Sequence, residues 1–154
     1  MSVHFHPLPA AEVSAIRASG IDAYGNPVER AICDGPGFPC RACLTETAAG
    51  QPFLTLAHRP FEGQNAFTET GPIYLCESCA GTPPSVDLPA ILSAPTYIVR
   101  GYSAEERIVY GTGQVTPTAE ISTYAATLLA REDIAFVDVR SASNNCFLCR
   151  IKPA

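Results

Sequence analysis

Two short stretches organise this chain: Pro39-Cys40-Arg41-Ala42-Cys43-Leu44 and Tyr74-Leu75-Cys76-Glu77-Ser78-Cys79. Each contains a C-x-x-C pair, a spacing that lets two thiolates turn toward one point. A Zn²⁺ ion takes four such ligands in a tetrahedron, each at about 2.3 Å. Two pairs brought together by folding would supply a closed structural site. The spacing therefore predicts a metal or thiol centre built from these two stretches.

The metal interpretation assigns four zinc ligands, Cys40, Cys43, Cys76 and Cys79. Four thiolates around Zn²⁺ leave a net charge of about −2, which neighbouring groups have to offset. Backbone N–H groups and the side chain of Arg41 are the candidates for that role. We expect the resulting domain to be non-catalytic, with a binding or scaffolding function for a partner that the sequence does not identify.

Three further cysteines compete for these roles: Cys33, Cys146 and Cys149. Residues three apart in a strand point to opposite faces, so Cys146 and Cys149 do not line one site without a bulge or turn. Free cysteine is commonly a small buried apolar residue, and we expect core packing for Cys149. The same argument, extended to every cysteine, gives one alternative: a metal-free domain with structural cysteines.

The other alternative is a thiol–disulfide oxidoreductase that uses Cys40 and Cys43. The reactive cysteine of such enzymes sits at the start of a long helix, which lowers its pKa. Here residues 45–47 run directly into Gly50 and Pro52, which do not continue a helix. Metal, redox and metal-free interpretations all remain open at this stage, as does the question of whether the chain is an enzyme.

Composition excludes several classes of function. The chain has 154 residues, 47% of them hydrophobic, and a net charge of −5. Its cationic residues are scattered singly, so none of its segments is suited to tracking a nucleic-acid backbone. No apolar run approaches the roughly 20 residues of a membrane span, and the N-terminus does not resemble a secretory signal. We expect a soluble cytoplasmic protein, whose thiols stay reduced.

Strands outnumber helices in the sequence pattern. Helices are predicted from Pro9 to Ser19, with Gly20 as the stop signal, and, more clearly, from Pro117 to Ala130, where apolar residues repeat with helical spacing. An antiparallel hairpin is predicted to pair 97–99 with 108–110. With 14 Pro and 11 Gly, long loops should join the elements. The prediction is one α+β domain over 1–154 with a mostly antiparallel sheet.

Four phrases together resemble the bacterial family catalogued as domain of unknown function 1203. These phrases, written in one-letter code with x for any residue, are GFPCRxCL from residue 37, GPIYL from 71, RGY from 100, and FVDVR from 136 with the later CF at 146. The resemblance covers most of the chain from about residue 30. Relatives often carry histidine near the position of Cys76 and cysteine near Cys79. Because Cys and His interchange at zinc sites, the resemblance implies a metal role there.

Overall fold

Eight strands form two antiparallel sheets, with two short helices packed against them. The computed structural model describes residues 1–154. In chain order the elements are β1 (Val3–His6), α1 (Ala10–Ser19), β2 (Glu29–Ile32), β3 (Pro52–His58), β4 (Gly71–Cys76), β5 (Thr96–Tyr102), β6 (Gln114–Pro117), a 3₁₀ turn (Thr118–Glu120), α2 (Ile121–Leu129), β7 (Phe136–Ser141) and β8 (Phe147–Pro153). The predicted α+β class is confirmed.

The larger sheet has five strands in the order β1-β8-β7-β5-β6. The first and last strands of the chain pair in this sheet, where Phe5 in β1 lies opposite Ile151 in β8. α2 covers one face of this sheet. Its buried residues, Ile121, Ala125, Leu128 and Leu129, follow the predicted helical spacing and join the main hydrophobic core.

The smaller sheet has three strands in the order β2-β3-β4. α1 packs on it through the buried Val13, in a second core that also contains Leu75 and, from the larger sheet, Phe147. Gly20 ends α1 in the left-handed conformation, with φ 64°, and its N–H bonds to the carbonyl of Ile16. This is the stop signal predicted for that helix.

One local prediction is wrong. Residues 108–110 do not form the second strand of a hairpin; only Ile108 makes an isolated bridge, to Tyr102, and β5 pairs with β6 instead. The second predicted helix is present: Pro117 still pairs in β6, the 3₁₀ turn begins at Thr118, and α2 ends at Leu129.

The strands place the two cysteine pairs side by side. Cys40 makes an isolated parallel bridge to Tyr74, and the Arg41 N–H donates to the carbonyl of Tyr74 over 3.1 Å. The turn that carries the first pair is therefore docked against the end of β4, from which the second pair emerges.

None of the helices is both long enough and apolar enough to pass through a bilayer.

Candidate metal centre

The first cysteine pair lies in a tight turn that begins after Pro39. Cys40 donates its N–H to the carbonyl of Thr45 over 2.9 Å, and the Leu44 N–H donates to the carbonyl of Cys40 over 2.9 Å. Because the turn closes on itself, it presents the thiols of Cys40 and Cys43 toward the same side.

Leu44 gives this turn its shape at some cost. Its φ of 56° lies in the left-handed region, which costs an L-residue about 1–2 kcal/mol. Glycine normally occupies such a position. Here the leucine side chain is buried, with 5% of its surface exposed, and forms part of the main core. Core packing offsets the backbone strain.

The second pair lies at the end of β4. Cys76 is the last residue of that strand and faces Phe53 of β3, and the next N–H, from Glu77, donates to the carbonyl of Pro52 over 3.1 Å. The chain then leaves the sheet, which brings Cys79 back over the first pair. The Sγ atoms of Cys40 and Cys79 are 3.9 Å apart.

All four predicted ligands therefore come together. Their Sγ atoms lie within 4.8 Å of one another: Cys40, Cys43, Cys76 and Cys79. Four sulfurs at 2.3 Å from a central Zn²⁺ would be separated by about 3.8 Å, the edge of that tetrahedron. The cluster is thus slightly wider than a closed zinc–thiolate site. None of the four is in a disulfide.

Hydrogen-bond donors surround the sulfurs. The Sγ of Cys40 accepts from the backbone N–H of Cys76 over 3.2 Å and of Ala42 over 3.4 Å. The Cys43 Sγ lies 3.1 Å from Oγ1 of Thr45, and the Cys76 Sγ lies 3.5 Å from Oγ1 of Thr47. Donors of this kind stabilise thiolates, and metal sites use them to spread ligand charge.

A cation also touches the cluster, but it is not the predicted one. Arg17 of α1 donates from Nη2 to the Cys79 Sγ over 3.2 Å and to the Cys76 carbonyl over 2.9 Å. Arg41 instead directs its guanidinium to the carbonyls of Phe147 and Pro39. This role of Arg17 was not predicted from the sequence, because Arg17 lies on α1, far along the chain from the second cysteine pair, and belongs to no local motif.

The thiols of the first pair are electrostatically unequal. A hydrogen bond with Cys40, followed by bonding to Thr45, lowers the pKa of Cys43 well below that of an ordinary thiol. The same bond with Cys43, together with burial, raises the pKa of Cys40. Because a metal binds the deprotonated thiol, the raised pKa makes Cys40 the harder of the two to convert to a ligand.

The remaining cysteines lie elsewhere. Cys149 is fully buried in the main core, and burial raises its pKa, as expected for a packing residue. Cys33 is also buried and donates its thiol to the carbonyls of Gly35 and Thr47. Cys146 is partly exposed, with its thiol 3.8 Å from the carbonyl of Asn144. None of the three joins the four-sulfur cluster.

Comparisons with known proteins agree with the resemblance seen in the sequence. The family described as "Protein of unknown function (DUF1203)" matches residues 37–152. No curated protein and no solved structure matches the chain significantly. The matched segment contains both cysteine pairs and all strands from β3 to β7, so the chain belongs to the DUF1203 family.

Proposed function

We propose that Cys40, Cys43, Cys76 and Cys79 bind one Zn²⁺ ion as a structural site. The observation that carries the proposal is the approach of all four Sγ atoms to within 4.8 Å of one another, from two separate parts of the chain. Zinc is the metal that best suits four thiolates in tetrahedral geometry, although Fe²⁺ takes the same ligands. The surrounding N–H and Arg17 donors support the charge balance that such a site needs.

The ion would act as a clip. It would join the turn after Pro39 to the end of β4 and so close the long loop between the two pairs. Metal binding of this kind contributes directly to folding free energy, which matters in a chain with few helices. Four protein ligands leave no open coordination position for a substrate. We infer that 1–154 folds as one domain whose role is binding or scaffolding.

The two alternatives have less support in the geometry. A redox pair would be expected at the start of a helix, whereas the turn that carries Cys40 and Cys43 continues into the left-handed Leu44 and the next element along the chain is the strand β3. A purely apolar role suits Cys40 alone, because Cys43, Cys76 and Cys79 are each partly exposed. A cluster of three partly exposed thiols around a buried one is more typical of metal ligands than of residues that pack a hydrophobic core.

The test is the metal content of the full chain, purified without chelator and measured by plasma mass spectrometry. We expect about one zinc per chain, lost in Cys40→Ser and in Cys76→Ser with similar loss of thermal stability. Cys146→Ser, which changes a partly exposed thiol outside the cluster, is the matched control and should keep both metal and stability. Finding iron in place of zinc would change the proposed identity of the metal but would leave the four-cysteine site as proposed.

Thiol reactivity separates the alternatives. With metal bound, the four cluster thiols should resist alkylation until a chelator is added, whereas Cys146 reacts from the start. An absence of metal combined with a reversible Cys40–Cys43 disulfide would support the oxidoreductase. An absence of metal with full tolerance of Cys→Ala at all four positions would support the metal-free domain.

A further inference from the structure

A second polar site lies where the two sheets meet. A cavity of about 480 Å³ is bounded by the end of β3, by residues 68–72 leading into β4, and by the turn between β7 and β8. Its lining is mostly polar and includes His58, Thr68, Thr70, Asn144 and Arg140. Pockets of this volume accommodate small molecules, and a polar lining favours a polar ligand over a lipid.

Arg140 is the unusual member of this lining. It has only 3% of its surface exposed, yet its Nε and Nη2 atoms have no hydrogen-bond partner. Only Nη1 is engaged, with Glu69 at 2.8 Å and the carbonyl of Asn145 at 3.0 Å. A buried charged donor without a partner costs free energy, so a partner for these atoms is expected.

The two unpaired atoms form one edge of the guanidinium. Nε–H and Nη2–H run parallel, in the fork that matches the two oxygens of a carboxylate. Elsewhere in this chain the same edge holds a carboxylate. Arg150 binds Asp138 through Nε at 2.7 Å and Nη2 at 3.0 Å, and Arg131 binds Asp133 in the same way.

The local charge balance points to an anion. Three arginines, Arg100, Arg140 and Arg150, share two carboxylates, because Glu69 bridges Arg100 and Arg140 while Asp138 pairs with Arg150. One positive charge is left over at this group of side chains, and Arg140 is the arginine with a free fork.

We propose that this cavity binds a small carboxylate-bearing molecule through the Nε/Nη2 edge of Arg140. The ligand's carboxylate would neutralise the surplus charge, and the threonine, asparagine and histidine side chains would contact its other polar groups. Each unpaired Arg140 atom exposes less than 1 Å², so part of the cavity wall has to move aside for the ligand to reach the fork. The site is separate from the four-cysteine cluster and does not depend on metal.

Succinate is a suitable probe, with inorganic phosphate at equal ionic strength as the second. Isothermal titration of the full chain should show saturable succinate binding that weakens at least tenfold in Arg140→Lys, which keeps the charge but removes the fork. Arg131→Gln is the matched control, because it removes an arginine whose fork is already occupied by Asp133 outside the cavity. Its affinity should equal that of the unmodified chain.

Three results would overturn the proposal: no saturable succinate binding, saturable binding of phosphate alone, or equal affinity in Arg140→Lys. If Arg140→Lys does not fold, amide NMR of the unmodified chain decides. Succinate should then shift the resonances of Thr70, Gly71 and Asn145, which line the cavity. Shifts confined to other parts of the chain would contradict the site.

Discussion

The guanidinium of Arg17, in α1, lies 3.2 Å from the Sγ of Cys79, beyond the end of β4. The same side chain also reaches the carbonyls of Cys76 and Cys79. α1 is therefore attached to the cysteine cluster by charge as well as to the smaller sheet by packing. A cation in this position reduces the repulsion among closely spaced thiolates.

Arg17→Gln should weaken metal binding without unfolding the chain. Loss of an outer-shell partner typically costs 10- to 100-fold in metal affinity, and we expect a loss in that range. Competition with a chromophoric chelator measures it. Arg30→Gln is the control, because Arg30 pairs with Glu77 beside the second cysteine pair but donates to no sulfur. Equal affinities in the two variants would show that Arg17 has no such role.

Leu44 allows two opposing effects to be separated by substitution. Leu44→Ala removes core packing and keeps the left-handed strain, whereas Leu44→Gly removes both. Burial of a leucine is worth more than relief of about 1 kcal/mol of backbone strain, so both variants should be less stable. The free energy of unfolding of the glycine variant should nevertheless be about 1 kcal/mol higher than that of the alanine variant. This order is the reverse of the one found in ordinary strands and helices. Urea unfolding of the metal-loaded chain measures the difference.

Asp138 and Arg150 form an ion pair between strands β7 and β8, in which the carboxylate is fully buried and the arginine side chain is 18% exposed. Asp138 has no exposed surface, and the pair lies directly across the strands in register. Asp138→Asn leaves the Arg150 charge without its partner, and we expect a loss of about 3–5 kcal/mol in the free energy of unfolding. Asp133→Asn breaks the exposed pair with Arg131 and should change stability little. Similar losses in the two variants would contradict this distinction.

The features that depend on residues close together in the chain could be predicted from the sequence. The Gly20 helix stop, the apolar stripe of α2 and the spacing of the cysteine pairs are all visible in short windows, and the structure contains all three. Arg17 at the sulfurs and Arg140 at the cavity were not predictable in this way. Each acquires its role from elements distant in the chain, and no spacing rule connects an arginine to a partner in another sheet.

The incorrect hairpin prediction has the same origin, and it identifies the last position to test. Residues 108–110 are rich in strand-forming side chains, but the chain after them folds Thr112 against β5, where its Oγ1 accepts from the Gly101 N–H over 2.9 Å. This close approach requires glycine. A Cβ at 101 would lie 2.9 Å from Cδ1 of Ile134 and 3.3 Å from the Thr112 hydroxyl.

Gly101→Ala should therefore destabilise the chain by about 1–3 kcal/mol, because both neighbours are buried and have little room to move. Gly71→Ala is the matched control, since Gly71 also lies in a strand but a Cβ there meets nothing within 4 Å. Thermal unfolding monitored by circular dichroism compares the two. If Gly101→Ala unfolded at the same temperature as Gly71→Ala, residues 108–113 would have to be free to move away from β5. The contact between Thr112 and Gly101 would then not explain why residues 108–110 do not form the predicted strand.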